Sequence, residues 1–148
     1  MSYQERKTIV SMLTSIITSI FFVIYILNKY PMETLKSSDD FKHWGIIFII
    51  LIGIVIVANI FSTIVLNIHY RITTKEEEPS FLDEMDKLIT LKADRISHYI
   101  FTIGFAVSMI LLALGNPVYI TFITIAVFGF FAEQISLIYT LLIYRRGF

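Results

Sequence analysis

Charged positions in this chain are gathered into short segments, and between them run long stretches without Asp, Glu, Lys or Arg. These stretches extend from Thr8 to Asn28, from Trp44 to Tyr70 and from Ile96 to Ala132. The last is too long for a single bilayer crossing. It breaks at Gly115-Asn116-Pro117, a helix stop and turn, after which the apolar pattern resumes to Tyr144. A transmembrane helix needs about 20 predominantly apolar residues to cross a hydrocarbon core ~30 Å thick. The pattern therefore predicts spans at about 8–28, 44–69, 96–115 and 118–144, and a single membrane domain over residues 1–148. The fold class is all-α, an integral membrane bundle of four transmembrane helices.

The polar segment at about 70–95 is the sizeable element outside the spans. After Glu76-Glu77-Glu78, a solvated linker or a docking surface for a basic partner, Pro79 and Ser80 announce a helix start. Ser80-Phe81-Leu82-Asp83 matches an N-terminal capping pattern. Phe81, Leu82, Met85, Leu88 and Ile89 then recur at helical spacing and form one apolar stripe, with Asp83, Glu84, Asp86 and Lys87 around the rest. This spacing predicts a cytoplasmic amphipathic helix between spans two and three. It would lie on the interface and offer its stripe for partner docking.

Sidedness follows from the Lys and Arg of the short loops. The N-terminal segment, the middle segment and the C-terminus carry nine of them, and the first opposite loop carries Lys29, Lys36 and Lys42. Both termini and the middle segment are expected in the cytoplasm, in a multi-pass protein of the cell membrane. Arg6 and Lys7 before the first span could suggest a signal peptide, but the run is long and lacks a small-x-small site, so a retained helix is expected. Trp44, Tyr30 and Tyr119 near one boundary, with Tyr70, Tyr99 and Tyr144 near the other, read as aromatic belts.

Composition then removes several chemistries. Hydrophobic residues make up 56% of the chain and charged residues 16%, with mean hydropathy +0.75. A soluble domain carries about 25% charged residues. The absence of Cys excludes disulfides and thiolate metal sites. There is no phosphate loop, nucleophile elbow or HExxH motif, and no basic patch suited to nucleic acid. His69 and His98 face one boundary, but no ligand spacing accompanies them, and His43 is expected in solvent. No metal or cofactor is expected, and no enzyme.

Glu133 is the Asp, Glu, Lys or Arg that does fall inside a predicted span, twelve residues before Arg145. At 1.5 Å per residue, that is roughly 18 Å from the helix end, near mid-membrane. An ionised acid at a helix centre costs about 3 kcal/mol, and such residues mark functional sites. Ala126, Gly129, Glu133, Ser136 and Thr140 form a small, polar strip on span four, and Asn59, Ser62 and Thr63 a patch on span two. Glu133, Asn59, Gln134, Ser136 and Ser62 are thus candidates for an ion or proton site. They could equally hold the bundle together, with Glu133 bonded to Asn59, Gln134 or a backbone carbonyl. Ser11, Thr14, Ser15, Thr18 and Ser19 in span one, and Gly104 and Ser108 in span three, suit close helix packing, with a hydroxyl-lined pore as the alternative.

Two relationships extend this reading. Residues 58–71 align without a gap to residues 132–145, matching Ala, Ser, Ile, Tyr and Arg and setting Asn59 opposite Glu133. Such a parallel repeat places those two residues at equal depth. Residues 83–97, with Asp83-Glu84-Met85-Asp86, Ile89-x-x-Lys92 and Arg95-x-Ser97, resemble a segment shared by small, uncharacterised bacterial four-span membrane proteins. This chain has Met85 where that pattern has Arg. The resemblance implies a bacterial membrane protein and gives no mechanism.

Two function classes follow. One is a non-enzymatic accessory, immunity or regulatory component that acts through a membrane partner. The other is a small oligomeric proton- or cation-linked channel or transporter built around Glu133. Its partners are the lipid bilayer and either copies of itself or another membrane protein, and no nucleic acid.

Overall fold

The structure is a computed structural model that describes residues 3–36, 41–74 and 84–146. Among the described residues the regular structure is all helical, with α1 at Tyr3–Lys29, α2 at Met32–Lys36, α3 at Phe41–Thr74, α4 at Glu84–Ala113 and α5 at Val118–Arg146. Four of these helices are long and apolar enough to cross a membrane. The chain is a multi-pass membrane protein. Most large apolar side chains face outward, as in the run Ile49, Ile52, Ile56, Val57 and Ile60 on α3, because lipid rather than a protein core is their solvent.

The helices pack as two hairpins, α1 with α3 and α4 with α5, joined where α1 also lies along α5. The α4–α5 contact is the most extensive, and small residues cause it. Gly104 and Ser108 are buried on α4, and the side chain of Phe128 on α5 lies directly over Gly104, where a methyl group would overlap it. The Ser108 hydroxyl is satisfied within its own helix by the Phe105 carbonyl at 2.7 Å. The small-xxx-small spacing thus works as packing, letting the two backbones approach closely.

The α4–α5 turn is a helix cap. The Asn116 amide donates to the Leu111 carbonyl and the Gly115 amide to Leu112, with Gly115 at φ +82°. This is the six-to-one and five-to-two pattern of a Schellman motif, which requires a left-handed residue past the last turn. The Asn116 side chain also donates to Leu111, at 2.9 Å. Pro117 then leads into α5 from the position just before Val118, and its carbonyl accepts from the Ile120 amide at 3.0 Å.

At this loop end the first connection folds back as a lid. Leu35 of α2 is buried with Ile26, Trp44 and Ile47, and the Trp44 indole donates to the Leu35 carbonyl at 3.2 Å. Trp44 stacks on Phe122 of α5 at 5.4 Å, and Phe48 packs on the same ring. Trp44 is buried and Tyr30 and Tyr119 are packed against the same cluster, so these rings also form a small core. His43 is half-buried, edge-on to Tyr30 at 5.5 Å, rather than in open solvent.

The opposite, terminal end carries the start of α1 and the end of α5. There the Tyr3 hydroxyl donates to Asn67 at 2.5 Å and its ring packs against Tyr70, tying α1 to α3. The Tyr144 hydroxyl donates to Asp86 at 2.7 Å, tying α5 to the first turn of α4. Of the rings expected as a belt at this end, Tyr99 is the exposed one.

The predicted amphipathic segment is revised in part. Phe81 and Leu82 lie outside the described residues. From Glu84 onward the segment is continuous with α4, with no break before Ile96. Ile89 is 2% exposed and so is inward-facing, which removes it from the outward docking stripe, whereas Met85 and Leu88 are exposed. Ala93 is buried one turn further on, so positions 89 and 93 continue the same packed face as 104 and 108.

Candidate functional site

Glu133 is positioned by three helices. From α5 its side chain projects into a small open cleft, with about 10 Å³ of enclosed space, lined by Thr14, Ser15 and Thr18 of α1 and Val55, Ala58 and Asn59 of α3. The Ser15 hydroxyl donates to a Glu133 carboxyl oxygen at 2.7 Å. Ser15 and Thr18 fall on one face of α1 because they are three residues apart. Asn59 and Glu133 line the same cleft, as the alignment of residues 58–71 with 132–145 expects from equal depth.

The remaining candidates separate from this group. Ser62 and Thr63 turn back to donate to the Asn59 carbonyl at 3.1 and 2.8 Å, which satisfies their hydroxyls within α3. Ser136 contributes its backbone carbonyl, which accepts from Thr140 at 3.0 Å. Neither lines the cleft. Gln134 is buried, and its amide nitrogen has no hydrogen-bond partner among the described residues. His69 and His98 are both exposed, and no three His, Asp or Glu side chains among the described residues come together as a metal site.

The α4–α5 contacts fix the level of Glu133. Gly104 lies against Phe128, Phe101 against Gly129 and Asp86 against Tyr144. In this antiparallel pair, each step along α5 toward the terminal end matches one step back along α4. Glu133 is thus level with Ser97–His98, one turn above Arg95. The last turns of α5 run beside the charged start of α4, and Glu133 lies near the middle of α5 along its length.

Glu133 and Asn59 are mostly covered by the chain but each keeps some exposed surface. The cleft therefore presents a carboxyl, a carboxamide and three hydroxyl residues to whatever lies against it. Chemically it can accept hydrogen bonds from a donor or hold a small cation beside the carboxyl. Ser15, Thr14 and Thr18 were not singled out as site residues from sequence, where their spacing reads as packing. The signal available was that Ser11, Ser15 and Thr18 recur on one helix face. No family model matches the chain, and no curated protein or solved structure matches it either.

Proposed function

We propose that this protein is a non-enzymatic component of a bacterial cell membrane, an accessory, immunity or regulatory subunit that acts by holding a second membrane protein. Both termini and the segment before α4 face the cytoplasm, as the distribution of Lys and Arg favours. The observation that carries this reading is the start of α4. Its first three turns, ahead of the uncharged run, are braced from within by buried Ile89 and Ala93 and by the Tyr144–Asp86 bond. On the outside they expose Met85, Leu88 and Leu91. A rigid ledge with apolar side chains at the membrane surface suits docking of a partner better than it suits a mobile tether. The test is co-purification from native membranes with Leu88→Glu. The substituted chain should retain its fold and lose the foreign subunit, and unchanged recovery of that subunit would remove the ledge from the interface.

A second reading rests on the Ser15–Glu133 bond. A carboxyl lined by hydroxyls suits a small oligomeric proton- or cation-linked channel or transporter. Flux through reconstituted vesicles that disappears in Glu133→Gln would favour it over the accessory role.

A further inference from the structure

A polar cleft half-open to a bilayer is costly unless a polar group closes it. The chain holds a candidate for that group on its own far surface. Among the helix pairs that pack extensively, α4 contacts α5 alone, so the side of α4 turned away from α5 is unpartnered. Along that side, past the ledge, run Arg95, His98, Thr102 and Phe105, all exposed. His98 lies at the level of Glu133, as the α4–α5 register requires. Two copies inserted in the same direction bring equal levels to equal depth. The residues of α4 that a neighbouring copy can offer to the Glu133 cleft are thus those near His98.

We propose that a second copy of this chain closes the cleft, with the outer face of its α4 laid against α1, α3 and α5 and its His98 donating to Glu133. The chemistry is complementary. The carboxyl accepts from Ser15 on one side and has further lone pairs for a donor, and an imidazole supplies a ring N–H in either protonation state. Arg95, one turn nearer the terminal end on the same face of α4, adds a positive charge beside the carboxyl. The enclosed space in the cleft, about 10 Å³, holds nothing larger than a water, so the imidazole closes the cleft at its mouth. The cleft and the outer face of α4 are different surfaces, so the contact is head-to-tail and propagates to a third copy or closes into a ring. This contact lies deeper than the Met85–Leu88 ledge and leaves that ledge available to the foreign partner of the proposed function, on which it does not depend.

The chain has no cysteine, which makes the test direct. Asn59→Cys and His98→Cys are introduced singly and together, and each protein in native membranes is treated with a short thiol-to-thiol cross-linker. The doubly substituted chain should give dimers and a ladder of higher species, and each single variant should stay monomeric. Monomer from the double variant, or dimers from His98→Cys alone, would overturn the head-to-tail contact. The copy number of the unsubstituted protein in its native complex guards against damage by the substitutions, and a single copy there also overturns it. A foreign subunit bound to one copy would sink this inference while leaving the proposed function standing. Several copies without a foreign subunit would do the reverse.

Discussion

Ser15 on α1 and Glu133 on α5, 118 positions apart in sequence, are joined by a 2.7 Å hydrogen bond in which the hydroxyl donates. This bond links the two hairpins near the middle of α5. Interhelical hydrogen bonds in membrane proteins average about 0.6 kcal/mol and reach about 1.7. Ser15→Ala should therefore lower stability in detergent by less than ~2 kcal/mol. Glu133→Gln keeps an oxygen that can accept from Ser15 and should cost less than Ser15→Ala. Unfolding titrations of the two variants check the order, and a larger loss in Glu133→Gln would show that the carboxyl has a charged role beyond this bond.

The contact of Gly104 with Phe128 predicts a compensating pair. Any side chain at 104 overlaps Phe128, so Gly104→Ala should destabilise the α4–α5 hairpin by about 1–3 kcal/mol, the range for overpacking. Phe128→Ala removes the obstacle and should restore part of that loss when combined with Gly104→Ala. A double-mutant cycle on unfolding free energy measures it, and strictly additive losses would contradict the geometry.

The four spans and the stop at Gly115-Asn116-Pro117 are legible in the sequence because lipid imposes length and apolarity on each helix separately. Which helices touch is not. Ser15 looks like any other hydroxyl on a packing face until α1 is placed beside α5. The register of Glu133 against α4 is hidden for a related reason. Counting along α5 alone cannot reveal that its apolar end runs beside the charged turns of α4, and the contacts of Phe101, Gly104 and Asp86 supply that register. Ile89 is similar. Its place in an apolar stripe is readable, but whether the stripe faces a partner or α5 depends on the neighbouring helix.

Gly115 holds the left-handed position of the α4 cap. A side chain there costs about 1–2 kcal/mol in backbone strain, and Asn tolerates the conformation better than other residues. Gly115→Ala should lower stability by that amount and Gly115→Asn by less. Thermal unfolding of the two variants decides this, and equal losses would show that the turn tolerates a different conformation.

The Tyr144–Asp86 bond fastens the end of α5 to the ledge at the start of α4. Hydrogen bonds to charged groups contribute about 1.5–3 kcal/mol. Tyr144→Phe keeps the ring and removes the donor. It should raise amide hydrogen exchange in the first turns of α4 and the last turn of α5 while leaving the Gly104 region protected. Unchanged exchange at both termini of this hairpin would mean that buried Ile89 and Ala93 hold the ledge without help.

On the proposed role this protein works by holding a membrane partner, and the mass of its native complex decides whether one is there. Extraction from native membranes in a mild detergent, followed by native mass spectrometry, should yield a foreign subunit in fixed stoichiometry with this chain. Complexes built from copies of this chain alone would contradict the accessory role and favour a pore or carrier at Glu133.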